Sequence, residues 1–156
     1  GAGGVMAAAF TTRLGFGKTD VIQMLNGCIG GLVAITAEPL MPSPIAAILI
    51  GAVGGVIVVF GTKLLFSMKI DDVVGAVPAH LFAGIWGTLA VPITNPDVSF
   101  GAQLLGVISI NAFVFIVSYI VWSIMKATIG IRLSKEGELK GTDVTETGVI
   151  AYAIRD

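Results

Sequence analysis

Charge is scarce in this sequence. Of its 156 residues 12% are charged, against roughly a quarter in a typical soluble domain, while 55% are hydrophobic and the mean hydropathy is +0.96. A chain with so little charge cannot cover its surface with charged groups, so it must face something other than water. Intrinsic disorder is excluded because it needs low hydrophobicity. Nucleic-acid binding is excluded because the sequence contains no basic patch of useful size.

Cysteine and histidine are also rare, with one residue of each. Cys28 has no second cysteine with which to form an internal disulfide, and its expected role is that of a small apolar packing residue. The sequence has no dinucleotide-binding glycine motif, no Walker motif, no HExxH zinc motif and no nucleophile elbow. We therefore expect no enzymatic activity, no cofactor and no metal site.

The few charges are separated by long uncharged runs. A helix crosses the hydrocarbon core of a bilayer with about 17 to 25 apolar residues. The predicted fold class is therefore all-α, a polytopic membrane helix bundle. The runs are residues 21–37, 39–62, 73–96 and 98–125, of 17, 24, 24 and 28 residues. The four predicted transmembrane helices are residues 21–37, 45–65, 73–92 and 101–129, and the uncharged residues 1–12 predict the end of a further, truncated helix.

Basic residues alternate between the connections of these helices. Successive connections carry two, none, two, none and five of the nine Lys and Arg residues. The positive-inside rule places basic loops in the cytoplasm, so this alternation predicts a multi-pass protein of the cell (inner or plasma) membrane with a cytoplasmic C-terminus. The expected division is a membrane domain over residues 1–129 and a polar cytoplasmic tail over residues 130–156.

His80 is the main polar exception within the uncharged runs. An ionisable side chain at membrane depth is costly and by default marks a transport pathway, a proton relay or a ligand site. The alternative interpretation is a structural histidine that makes an interhelical hydrogen bond. Pro78, two residues earlier, lacks a backbone N–H, and we expect it to leave the carbonyl group of Val74 free.

Three further polar residues lie near predicted cytoplasmic helix ends. Asn26 either caps its helix, the preferred interpretation from its residue type, or faces a vestibule. Asp71 and Asp72 precede the helix of His80, where acidic side chains complement the helix dipole and cap free N–H groups. Small residues at intervals of four predict closely packed helices. These are Gly27 and Gly31, Gly51 and Gly55, and the row Gly75, Ala79, Ala83 and Gly87.

Several of these segments, in this order, resemble the C-terminal half of the ammonium transporter family (Amt/Mep/Rh). The resemblance runs from about Gly1 through Tyr152 and implies part of an eleven-helix protomer, built from two inverted five-helix halves and a long last helix. The family forms homotrimers in which each protomer has its own pore. The matching motifs are Asn26-Gly-x-x-x-Gly31-Leu-Val-Ala-Ile-Thr36, Ile70-Asp71-Asp72, His80, Gly84-Ile-Trp86-Gly87-Thr88-Leu89 and Gly141-Thr-Asp143-Val-Thr-Glu146-Thr-Gly148-x-x-Ala151-Tyr152.

The resemblance implies that ammonium or ammonia passes through a hydrophobic pore after ammonium loses a proton. His80 corresponds to the second of two pore histidines, Ala76 and Ile29 to the lining of the inner pore, and Asn26 to a position near the cytoplasmic exit. Imidazole suits this role because its unperturbed pKa lies near 6.5 and its nitrogens can donate or accept hydrogen bonds.

The tail carries Gly148 and Tyr152 of the family's regulatory motif but differs from it elsewhere. Family tails often read His-Gly-Glu-x-Ala-Tyr, whereas this chain has Thr147 at the histidine position and Val149 at the glutamate position. The resemblance implies a tail that packs beneath neighbouring subunits and meets a PII-type regulator, so the departure bears on that regulation. Two alternatives remain: an ammonium sensor on the same fold that signals through its tail, and a membrane enzyme or haem protein with His80 as a ligand.

Overall fold

A computed structural model describes residues 1–151. These residues form helices joined by loops and contain no strand. The predicted all-α fold class is therefore confirmed. The helices are α1 (Ala2–Phe16), α2 (Val21–Ile35), α3 (Pro44–Ser67), α4 (Ala83–Thr94), α5 (Phe100–Thr128) and α6 (Lys135–Lys140). Two π-helical segments complete the list: the His80 segment (Val77–Phe82), which leads directly into α4, and the tail segment (Asp143–Thr147).

Three of the four predicted membrane crossings overlap helices that are long and apolar enough to cross a membrane. Within residues 1–151 these helices are Pro44–Ser67, Val77–Thr94 and Phe100–Thr128. The helix Val21–Ile35 is apolar but has 15 residues. At 1.5 Å per residue it is about 22 Å long, which is shorter than the hydrocarbon core.

The glycine pairs predicted from sequence lie where α1, α2 and α3 pack against one another. Gly27, Gly31, Gly51 and Gly55 are all buried. A Cβ atom on Gly55 would collide with the carbonyl oxygen of Gly4 in α1. Because the helix backbones touch directly, van der Waals contact between the helices extends along the backbone as well as the side chains.

The His80 segment and α4 pack against α2 and α3 along the predicted row of small residues. Ala79, Ala83 and Gly87 are buried, and a Cβ atom on Gly87 would collide with the carbonyl oxygen of Ala34. Farther along, the indole Nε1 of Trp86 donates a hydrogen bond of 3.0 Å to the Ile50 carbonyl in α3. This hydrogen bond ties the middle of α4 to its neighbour.

The other end of α4 is held by a polar contact with the loop after α2. The Nδ2 of Asn95 donates to Oε2 of Glu38 at 3.0 Å. Both residues lie in the proline-containing connections, where the chain leaves its helices. The helix formed by the His80 segment and α4 is thus joined to the bundle in its middle, through Trp86, and at its end, through Asn95.

The chain divides into two units, and the boundary lies within α5, after Ile110. None of the residues of α5 is buried. In the second unit, Ser134 caps α6 by accepting a hydrogen bond from the Gly137 N–H at 3.1 Å. The hydroxyl of Thr145, in the tail segment, donates to the Gly137 carbonyl at 3.2 Å, so α6 and the tail segment form a small folded piece.

Candidate functional site

His80 lies in a π-helical segment with one buried and one exposed side. Pro78 and Ala79 are buried in the bundle, whereas Ala76 and His80, four residues apart, are exposed in this chain. A π-helix is rare and occurs frequently at functional sites. The segment therefore presents its imidazole away from the packed glycine and alanine contacts.

The start of this segment lies after the beginning of the predicted 73–92 helix. Both carboxylate oxygens of Asp72 accept backbone hydrogen bonds, from the N–H groups of Ala76 and Val77, each at 2.9 Å. Pro78 has no N–H to satisfy, and the Ala79 N–H donates to the Gly75 carbonyl at 3.2 Å. Every backbone donor of the first turn is thus bound or absent, which is how a helix beginning is stabilised.

The carbonyl group of Val74, which the sequence led us to expect free, accepts a hydrogen bond from another helix. Its donor is Nδ2 of Asn26 in α2, at 2.8 Å across a separation of 48 residues. Asn26 is 9% exposed. A buried amide without a partner costs roughly 1–3 kcal/mol, so this contact matters for both groups.

Gly75 makes the contact possible. Its φ angle is 74°, in the left-handed region where residues with a Cβ atom are strained. A Cβ atom at this position would also lie 2.5 Å from Nδ2 of Asn26. Glycine is therefore required here for its backbone conformation and for the space that it leaves to the amide.

The capping interpretation of Asn26 is wrong. Asp20 occupies the N-cap of α2, where its Oδ1 accepts a hydrogen bond from the Gln23 N–H at 3.1 Å. Asn26 lies in the second turn, among residues whose N–H groups bond within the helix. Its side chain is free to reach out of the helix, and it reaches the connection before the His80 segment.

Comparison with known sequences identifies the family. The sequence profile of the Ammonium Transporter Family matches residues 1–152. The chain belongs to this family.

Individual ammonium transporters align with nearly all of the chain. It is 36% identical to ammonium transporter Amt2 of Archaeoglobus fulgidus, over 97% of this chain and 36% of the relative. It is 40% identical to a putative ammonium transporter of Synechocystis, over 94% of this chain and 34% of the relative. The chain thus spans about a third of the length of the curated relatives that it matches.

A solved structure of the ammonium transporter type has the same fold. The structure, named Sensor Amt Protein, superimposes with a TM-score of 0.87 at 26% identity. The match covers 94% of this chain and 39% of that one. Together with the apolar helices, the family assignment establishes that this chain is part of a membrane protein.

The other site residues predicted for this ammonium transporter chain lie as follows. Ile29 is 39% exposed on α2, one turn beyond Asn26. Asp71 is exposed, and its neighbour Asp72 alone holds the helix start. Within residues 1–151, no three His, Cys, Asp or Glu side chains come together in a group that could hold a metal ion.

Of the two predicted tail residues, the structure describes Gly148. Gly148 ends the tail segment with a φ angle of 69°, so it has a conformational reason to be glycine. Tyr152 lies outside the described residues. Near Gly148, the carboxylate of Asp143 accepts a hydrogen bond from the Ala151 N–H at 2.7 Å. This bond, followed by one from Val144, lowers the pKa of Asp143 below its ordinary 3.8.

Sequence reasoning missed two parts of the site, Gly75 as a conformational requirement and the pairing of Asn26 with Val74. The first had a local signal, since Asp72 is followed three residues later by a glycine and then by a helix start. The second had none, because nothing in the spacing of Asn26 indicates a partner 48 residues away.

Proposed function

We propose that the protein to which this chain belongs carries ammonium or ammonia across the cell membrane, through a hydrophobic pore in each protomer. The observation that carries the proposal is His80 itself, an ionisable residue on the exposed face of an apolar, otherwise well-packed helix in a chain of the ammonium transporter family. An exposed histidine at this depth favours a pathway over a structural hydrogen bond inside the bundle.

The chemistry of the pore follows from the cost of moving an ion through an apolar passage. Ammonium would lose its hydration shell there, which costs far more than moving neutral ammonia. Deprotonation removes the charge, and His80 can accept or donate a hydrogen bond to the neutral molecule and relay a proton. In this proposal Ala76 and Ile29 line the inner passage and Asn26 lies toward its cytoplasmic exit.

The assembly and its setting belong to the same proposal. The protein works as a homotrimer in the inner or plasma membrane, with its C-terminal tail in the cytoplasm, and it performs transport without acting as an enzyme. The tail is the surface for a PII-type regulator. Support comes from the alternation of the nine basic residues and from the compact fold of α6 with the tail segment.

The test is His80→Ala in the complete protein, purified and reconstituted into liposomes. We expect the initial rate of ammonium uptake to change about tenfold or more, since proton transfer by a positioned side chain contributes at least that much. Phe113→Ala, which truncates an exposed ring on α5, is the control and is expected to transport normally. Normal uptake by a correctly assembled His80→Ala trimer would refute the assignment of His80.

The likeness to the Sensor Amt Protein favours one second candidate. In this alternative the same fold binds ammonium and hands the signal to a module attached through the tail. The two functions differ in the sequence that follows residue 156. A kinase or cyclase module there, combined with ammonium binding and negligible uptake by the reconstituted protein, would favour the sensor.

A further inference from the structure

We propose that Asn26 is a positioning residue that fixes the location of His80, and that it acts through the peptide group of Val74 without touching the transported molecule. The inference rests on the proposed function insofar as His80 lines the pore. It assigns Asn26 a role different from that of a residue lining the cytoplasmic exit.

The connection that precedes the His80 segment, residues 71–76, makes few hydrogen bonds to other parts of the bundle. Asp72 satisfies the first N–H groups of the segment, but it belongs to the same stretch of chain and moves with it. Among the described hydrogen bonds of residues 71–76, the one that reaches a different helix comes from Asn26. This amide is therefore the polar anchor of the connection on the bundle.

The anchor itself is well fixed. Asn26 is buried, and its neighbour Gly27 is in backbone contact with α1, so α2 is held firmly at this level. Its amide nitrogen meets Val74 at 2.8 Å and lies close over Gly75, where any Cβ atom would displace it. A side chain confined in this way specifies one position for the peptide that it binds.

The position of this peptide is passed on to His80 over a short distance. Gly75 follows Val74, and its carbonyl oxygen accepts the hydrogen bond from Ala79, the residue before His80. A shift or rotation at Val74 therefore moves the first turn of the His80 segment and the imidazole on it. Displacing a reacting group by about 1 Å can reduce a rate up to a hundredfold, so a modest shift is enough to matter.

The experiment uses Asn26→Asp in the complete protein, with Thr62→Val as the matched control. Asp has the shape of Asn but presents carboxylate oxygens to the Val74 carbonyl, so the hydrogen bond is lost. Thr62 lies near the same junction, and its hydroxyl bonds within its own helix to Val58. Thr62→Val therefore removes a polar group of similar location without touching the anchor.

Two measurements are made on each variant. In liposomes, we expect Asn26→Asp to lower the maximal uptake rate about fivefold or more. Its KM should stay within about twofold of the parent value, because a positioning defect affects passage more than initial binding. In histidine-labelled protein, NMR follows the ring resonance of His80, assigned by its loss in His80→Ala. We expect Asn26→Asp to shift this resonance, and Thr62→Val to change neither the resonance nor the rate.

An unshifted His80 resonance in Asn26→Asp would overturn the inference, whatever the rate. A raised KM with an unchanged maximal rate would also overturn it, because it would indicate direct contact with the substrate. If Asn26→Asp does not assemble, Asn26→Ser, a smaller uncharged residue, replaces it with the same expected direction and the same refuting outcome. Normal transport by His80→Ala, together with a shifted resonance in Asn26→Asp, would refute the pore role proposed for His80 and leave its positioning by Asn26 standing.

Discussion

At Gly75, both the backbone conformation and the packing require a glycine. Its positive φ angle turns the chain from the Asp72 connection into the His80 segment, and its missing side chain admits the amide of Asn26. Gly27, Gly31, Gly51 and Gly55, by contrast, serve close packing without a positive φ angle. The two requirements at Gly75 are independent, so a substitution there violates both at once.

We expect Gly75→Ala to lower the free energy of unfolding by about 1–3 kcal/mol, because alanine is strained at this φ angle and its Cβ atom displaces Asn26. Gly84→Ala on α4 is the matched control, since the nearest atom to its Cβ would be Cγ1 of Val33 at an ordinary 3.7 Å. Thermal unfolding of both variants of the complete protein in detergent measures the difference. Equal losses would show that Gly75 has no special requirement.

At the scale of the element, the carboxylate of Asp143 joins the start of the tail segment to the chain that follows it. The Asp143 carboxylate accepts a hydrogen bond from the Ala151 N–H, and Gly148 turns the chain between the two residues. These bonds favour the ionised carboxylate, which is why the pKa of Asp143 is lowered. A group with a lowered pKa stabilises the fold fully above its ordinary pKa and loses this contribution as the pH falls through the lowered value.

We therefore expect the hydrogen bond from the Ala151 N–H to Asp143 to persist from neutral pH down to the ordinary Asp143 pKa of 3.8 and to weaken as the pH falls through the lowered pKa. Hydrogen exchange at the Ala151 amide, followed as a function of pH and corrected for intrinsic exchange, measures this loss. Asp143→Asn is expected to increase exchange already at pH 7, whereas Glu146→Gln, in the same segment, leaves it unchanged. Equal exchange in the two variants would contradict the role of Asp143.

The helices and their starts were predictable to different degrees. Long apolar runs between charges predicted where the apolar helices lie, because spanning a bilayer imposes both length and composition on a helix. Three of these helices are long enough to span, and Val21–Ile35 is shorter. The predicted helix from residue 73 begins later, with the His80 segment at Val77, because Gly75 and Asp72 create a separate turn first. Hydropathy does not detect this turn, since Val73, Val74 and Ala76 are as apolar as the helix that follows.

The candidate site shows the same limit. His80 stands out from sequence because an ionisable residue in an apolar run is conspicuous without any knowledge of its neighbours. The role of Asn26 depends on Val74, and a contact between distant residues is set by how α2 packs against the connection. Residue type alone favoured a cap, but Asp20 already occupies that position.

At the scale of the molecule, the bundle combines a packed interior with exposed apolar surface. Glycine and alanine contacts join α1, α2, α3 and α4 in the interior, while Ala76, His80 and Ile29 are exposed. The chain spans about a third of the length of its curated relatives, and the rest of their length has no counterpart in it. In the proposed function, these exposed residues line the pore.

The orientation of the whole molecule in the membrane is the last prediction, and it follows from the alternation of basic residues. In a cysteine-free background, with Cys28 replaced by Ala, we expect an impermeant maleimide added to intact cells to label Ser99→Cys and not Leu139→Cys. Both positions are exposed, so access to the reagent decides the result. Leu139→Cys should react after the cells are permeabilised, which controls for its reactivity. Labelling of Leu139→Cys alone in intact cells would place the tail outside and reverse the predicted topology.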